Sequence, residues 1–348
     1  MLFRLLKDRL RAVTRNEVER ALKPLRKDLE RLSDQVKRQM ATIDHLKARS
    51  NLDVRAATQL NEIERLNDQH REVMEDLPSL LNEERVLAHV RHAIASAPIR
   101  HDPCDHIVVE RLLPDAVYDL LIKAIPPTVF FHDRDPIKQN IVFPITFGPA
   151  LTVRVWNFMD EVVSGKGILP AAIEKFHEPL QQHYDTIFGP DARERANQLP
   201  RHMSGGRLML RKPGYHLSPH RDPKRSFVTC LMYLARPGDS ETYGTQLFRV
   251  AGDHEANYKQ TYYPQDNGHK SELAAVVPFR PNTMLVFVNS RGAHGATIPP
   301  DAPPELERYS YQFYVAPQNE ALSALVKKLP PERRKMWQNK SKLAEVGA

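Results

Sequence analysis

The stretch LSPHRDPKRS, residues 217–226, places a histidine and an aspartate two apart, His220 and Asp222, between two prolines. On extended backbone, side chains at i and i+2 project to one face, so this pair would share a site. An imidazole nitrogen with a carboxylate oxygen suits iron(II) or another borderline divalent cation. A third ligand is available in NTMLVFVNSRGAHGATIPP, residues 282–300, where an apolar strand is expected to run into a glycine-flanked turn carrying His294. Glycine on both sides of a histidine lets backbone and ligands approach closely. Two imidazoles and one carboxylate on one triangular face leave three coordination positions open for reactants.

The stretch ERYSYQFYVA, residues 307–316, alternates so that Arg308, Ser310 and Gln312 share one face and Tyr309, Tyr311 and Phe313 the other. A fixed guanidinium clamps a carboxylate with two parallel hydrogen bonds, and a hydroxyl two residues on adds another donor. An arginine aimed beside an open metal site calls for an acidic small molecule. Two other histidine groupings are set aside. His183 and Asp185 repeat the H-x-D spacing inside a helical pattern, where i and i+2 do not face each other, and are expected to be a surface pair. His101, Cys104 and His106 crowd together in HDPCDH but lack the fourth ligand of a structural zinc site.

Taken in order, HRD, AHG and RYS, with VTCLMYLA after the first ligand pair, resemble the 2-oxoglutarate- and iron(II)-dependent oxygenases of the prolyl-hydroxylase-like branch. The resemblance spans Gly205 to Ala316. It implies a double-stranded β-helix, or jelly roll, with His220, Asp222 and His294 as iron ligands. It also implies Arg308 and Ser310 as anchors for the distal carboxylate of 2-oxoglutarate. The implied reaction is an O2-dependent hydroxylation that releases succinate and CO2, with ascorbate able to serve as reductant. Halogenating relatives carry a small residue in place of the carboxylate, so an intact Asp222 favours hydroxylation. Nucleic-acid demethylases of the superfamily carry a second arginine where this chain has Tyr314, which makes nucleic acid a less expected substrate. A small molecule, a glycan- or lipid-linked intermediate, or a protein side chain stay open. The chain departs from many relatives in two turns, reading GTQL at 244–247 and PNT at 281–283.

The elements that must position these residues are legible in outline, and the expected fold class is α + β. From Leu25 to Leu77 there is no proline or glycine. Leu25, Leu29, Leu32, Val36, Ile43 and Leu46 follow heptad spacing, which predicts a long helix forming a coiled coil. Residues 1–96 are therefore expected to be helical, and 97–204 a helical or mixed lead-in packed on the β core. Residues 205–318 carry short β-branched and aromatic runs broken by Pro/Gly turns, as a jelly roll would. A basic helix and tail should follow over 319–348.

The 348 residues carry a formal net charge of +7, with Arg4, Lys7, Arg9, Arg11 and Arg15 near one end and Lys327, Lys328, Arg333, Arg334 and Lys335 near the other. Such charges fit an anionic partner or solvated helix faces. Two cysteines far apart, Cys104 and Cys230, give no disulfide framework and fit a reducing compartment. With no apolar run of membrane-spanning length and no cleavable leader pattern, the chain reads as cytoplasmic. The seam predicts a homo-oligomer. The competing function is a non-catalytic scaffold, in which the coiled coil works and the β domain is a binding module.

Overall fold

A computed structural model of the chain describes residues 23, 27, 31–40, 50–131, 135–252 and 260–337. The chain divides into two units, 1–61 and 62–348. In the first, residues 31–40 and 50–61 are helical. Leu32 and Val36 of the expected seam are 60% and 52% exposed there. Leu25, Leu29, Ile43, Leu46 and the basic residues from Arg4 to Arg15 fall outside the described residues.

Residues 62–96, expected within the N-terminal helical region, belong to the second unit and pack into its core. In the helix Glu83–Ser96, the Asn82 side chain caps the N-terminus by accepting from the Arg85 amide at 2.9 Å. The helix buries Val86, Leu87, Val90 and Ile94 along one stripe. Its neighbour is the π-helix Phe158–Ile168. Gly167 lets the two come together, since a Cβ there would stand 2.9 Å from Leu87 Cδ2.

Among the described residues, ten strands form two antiparallel sheets. In chain order they are β1 His106–Glu110, β2 Lys138–Val142, β3 Arg201–Arg211, β4 His216–His220, β5 Val228–Tyr233, β6 Thr245–Val250, β7 Ser271–Val277, β8 Thr283–Val288, β9 Ala293–Thr297 and β10 Arg308–Pro317. The six-stranded sheet has the order β1-β8-β5-β10-β3-β2, and the four-stranded sheet β4-β9-β6-β7. All the strand-like runs singled out after Gly205 are strands, and the lead-in adds β1 and β2 to the edges of the larger sheet. Two antiparallel sheets with helices are the mixed architecture expected of a jelly-roll-like domain.

The alternation of β10 sorts the two faces of the larger sheet. Tyr309, Tyr311, Phe313 and Val315 enter the main apolar core, which includes Trp156, Phe131 and Tyr184 from the helical layer. On the other face, Met209, Leu231, Tyr233, Leu285 and Phe287 make a second apolar cluster with Leu247, Val277 and Phe279 from the smaller sheet and the segment after it. Central strands β5 and β8 are buried at every position because both faces are covered. That is why they read as continuous apolar runs. Short helices Asn319–Lys327 and Pro331–Lys335 follow β10.

Candidate metal centre and anion-binding cavity

His220 is the last residue of β4 and faces His294 on β9 as its register partner, with ring centroids 4.1 Å apart. Asp222 lies just beyond the strand, after Arg221, which bridges to Tyr262. The H-x-D pair thus straddles a strand end, and the two side chains still converge. His294 lies within β9, between β4 and β6, and not in the turn expected from its glycines. Gly292 supplies the turn at φ +67, and Gly295 supplies the close approach, because a Cβ there would stand 2.7 Å from the Leu217 carbonyl oxygen.

His220 Nε2 is 3.9 Å from Asp222 Oδ1, and His294 Nε2 is 3.6 Å from Asp222 Oδ2. One ligand atom from each of the three residues lies within 4.8 Å of the others, and among the described residues no other such group of histidine, cysteine or carboxylate occurs. Metal bonds of about 2.1 Å set neighbouring donors roughly 3 Å apart, so small side-chain rotations would close this set on one ion. His220 Nδ1 is turned to the Ser218 carbonyl at 3.0 Å, which leaves Nε2 facing the centre. Burial lowers the His294 pKa to about 3, with the neighbouring His220 adding to the effect, so its imidazole is a neutral lone-pair donor.

Asp222 is held from three sides. Thr229 Oγ1 donates to Oδ2 at 2.7 Å, and Tyr314 OH donates to Oδ1 at 3.2 Å. Asn289 Nδ2 donates to the Asp222 carbonyl at 2.7 Å and so fixes the backbone. None of these three follows from local spacing in the sequence. The one available hint is a polar residue in or at the end of an otherwise apolar run, Thr229 in VTCLMYLA and Asn289 in VFVNS.

The centre opens into a cavity of about 460 Å³. Arg308 lines it, 4% exposed, with Nε donating to the Tyr243 carbonyl at 2.5 Å. The guanidinium lies 5.0 Å from the Phe279 ring centroid and 5.5 Å from that of Tyr233. Its Nη2 and the Ser310 hydroxyl are buried with no hydrogen-bond partner among the described residues. Burial lowers the Arg308 pKa, and nearby Arg211 contributes in the same direction. Two buried donors left over beside the His220–Asp222–His294 face could accept a carboxylate.

The two set-aside groupings stay apart from this site. His183 is not at the surface: it is buried in the helix His177–Phe188 against Phe227, with ring centroids 6.1 Å apart. Asp185 turns away to pair with Arg193. His101 Nδ1 pairs with Asp105 at 2.6 Å, and His106 Nδ1 with the Cys104 carbonyl at 2.9 Å, and among the described residues the three do not gather as a metal-ligand group.

No family model and no curated protein matches the sequence. Among solved structures, the chain is similar to a Pseudomonas putida prolyl-4-hydroxylase at 15% identity and a TM-score of 0.34, covering 67% of this chain and 100% of that one. It is also similar to HygX from Streptomyces hygroscopicus with nickel, 2-oxoglutarate and hygromycin B bound, at 14% identity and a TM-score of 0.36, covering 62% and 83%. HygX with nickel and 2-oxoglutarate alone gives 13% and 0.35 over the same shares. Likenesses of this size leave the chemistry to be derived from the site itself.

Proposed function

We propose that the chain is an iron(II)- and 2-oxoglutarate-dependent oxygenase of the prolyl-hydroxylase-like branch, which hydroxylates its substrate. The observation that carries this reading is the meeting in one cavity of the His220–Asp222–His294 face with Arg308, whose Nη2 has no partner among the described residues, with the buried Ser310 hydroxyl two residues along the same strand. The reaction balances as substrate C–H, 2-oxoglutarate and O2 giving substrate C–OH, succinate and CO2. Bound iron(II) and 2-oxoglutarate would supply the O2 activation and two of the four electrons that O2 takes up.

The chain's own residues have separable tasks. His220, Asp222 and His294 would hold the ion and leave one face open. Thr229 and Tyr314 keep the Asp222 carboxylate from swinging away from that face. Arg308 and Ser310 would anchor the far carboxylate of 2-oxoglutarate. Leu231 lines the cavity and Phe287 packs beside the histidines, its ring 4.8 Å from that of His294, so this wall is apolar. A non-catalytic scaffold gives no reason for these polar groups to be buried and aimed at one point.

The test is to incubate the purified protein with iron(II), 2-oxoglutarate and ascorbate and to assay succinate without added substrate. Slow uncoupled succinate release, abolished by Asp222→Ala, is the expected result. A protein that binds neither metal nor 2-oxoglutarate would sink the assignment.

Two further readings belong with this one. Cys104 and Cys230 are unpaired and buried, which supports a reducing, cytoplasmic setting. No helix among the described residues is long and apolar enough to cross a membrane. The exposed apolar residues of the N-terminal helix support a homo-oligomer, most simply a dimer.

A further inference from the structure

We propose that the substrate is an anion, and that Arg207 binds its carboxylate or phosphate group beside the metal centre. This rests on the oxygenase reading, because there Arg308 is already committed to 2-oxoglutarate. The cavity is lined by the cations Lys138, Arg207, Arg211, Arg225 and Arg308, and among the described residues Asp222 is its one acid. Among the described residues, one metal ion and one 2-oxoglutarate leave most of that positive charge without a counter-charge.

The cations stand at two levels. In the β3–β10 register, Arg308 lies opposite Arg211 and Gln312 opposite Arg207. The two levels are four residues apart along each strand, about 13 Å at ~3.3 Å per residue. A five-carbon diacid, at ~1.5 Å per bond, separates its end carboxylates by only about 5 Å. Anchored on Arg308, such a diacid does not span the backbone distance between the two levels.

Arg211 does not compete for a ligand. Its Nη1 donates to the Gln139 and Leu210 carbonyls, both at 2.9 Å, and its Nη2 to Asn140 Oδ1 at 3.0 Å. Those bonds make it a structural tie between β2 and β3. Arg207 differs. Its Nη2 donates to Gln312 Oε1 at 3.0 Å and to Tyr314 OH at 2.9 Å, while its Nε is buried with no partner among the described residues. Neutral groups thus hold the guanidinium in a fixed pose, and among the described residues no carboxylate pairs with it. A charge kept half-buried in this state is costly until an anion arrives.

Its position gives the anion a purpose. Tyr314 OH accepts from Arg207 and donates to Asp222 Oδ1, so a single hydroxyl separates the guanidinium from the metal-facing carboxylate. An anionic group seated on Arg207 would bring a carbon a few bonds away to the open face of the centre. The preferred substrate is therefore a small acid or phosphorylated compound oxidised close to its charged group.

The test uses the full chain loaded with nickel(II), which is inert to turnover, and N-oxalylglycine, an analogue that fills the 2-oxoglutarate position. Calorimetry first measures N-oxalylglycine binding, then the binding of inorganic phosphate and, separately, of acetate to the saturated complex. At least one anion should bind, and the tighter of the two identifies the group. Arg207→Gln should weaken that binding at least tenfold and leave N-oxalylglycine affinity within twofold, which also reports an intact fold. Arg207→Lys should fall between, keeping the charge and losing the fork. If N-oxalylglycine binds but neither anion does, or if Arg207→Gln leaves the anion affinity unchanged, the inference fails and the oxygenase reading stands. If N-oxalylglycine itself does not bind, both fail.

Discussion

A guanidinium buried at Arg308 between two aromatic rings, with one donor orphaned, is costly unless a ligand completes it. A charge-assisted bond of that kind is worth roughly 1.5 to 3 kcal/mol. Arg308→Ala should therefore weaken 2-oxoglutarate binding at least about tenfold, since ~1.4 kcal/mol is one decade. Arg308→Lys should recover part of the loss. Metal affinity should survive both, whereas Asp222→Ala should remove it. The metal-to-ligand absorbance of the anaerobic iron complex reads the first effect, and an unchanged affinity in the alanine variant would make Arg308 structural. His183 invites a different measurement. Burial, with Arg221 and Lys224 nearby, lowers its pKa to about 3, and neither ring nitrogen has a partner among the described residues. The unfolded chain takes up a proton there below about pH 6.5 and the folded chain does not, so stability is lost as pH falls from that value towards 3. His183→Leu should abolish this share. Between pH 6.5 and pH 5 the variant should lose about 2 kcal/mol less than the parent chain in urea unfolding. Equal losses would mean that the ring is not the source. Residue by residue, His220, Asp222, His294, Arg308 and Ser310 were legible because short-range alternation and spacing carry them. Arg207, Thr229, Asn289 and Tyr314 were not. Thr229, Asn289 and Tyr314 meet Asp222, and Arg207 meets Tyr314, from four different segments that only the strand register brings together.

Strands carry the site because each donates one face to it, and close strand packing makes that placement fragile. His220 and His294 are register partners on β4 and β9, and Gly295 is what lets those strands approach. An added methyl would meet the Leu217 carbonyl at 2.7 Å and the Pro219 nitrogen at 3.5 Å, both backbone. Backbone cannot rotate aside as a side chain can, so β4 would have to move. Gly295→Ala should cost about 1 to 3 kcal/mol as overpacking does, and should also weaken metal binding although no ligand has changed. Thermal unfolding and a metal titration together check this; full metal affinity would show that the strands can part without separating the histidines. The same dependence on packing explains what the sequence left hidden at this scale. The runs after Gly205 announced themselves by turn residues and β-branched content. β1 and β2 are short runs in a helix-rich lead-in, and only their pairing with β8 and β3 makes them strands. His294 looked like a turn residue because its glycines serve a turn on one side and a close strand contact on the other.

For the whole molecule, the question is what covers the N-terminal helix. Leu32, Val36 and Met40 fall at helical spacing on the described segment 31–40, and each is more than half exposed. A lone helix gains nothing from such a stripe, whereas burying a leucine or valine side chain contributes about 1.5 to 3 kcal/mol. Heptad spacing through Leu46 would extend the stripe into a seam that a second copy of the helix fits. Self-association is therefore expected, most simply as a dimer, opposed only modestly by a net charge of +7. The choice of truncation matters. A chain beginning at Ala97 would strip Val86, Val90 and Ile94 from the main core, and its behaviour would report unfolding as much as dissociation. A chain beginning at Glu62 keeps that core whole. It should scatter light as a monomer and bind metal as the full chain does, while the full chain scatters as a dimer at micromolar concentration. A monomeric full chain would reject the seam as an assembly device. A dimer that persists without residues 1–61 would move the interface onto the second unit.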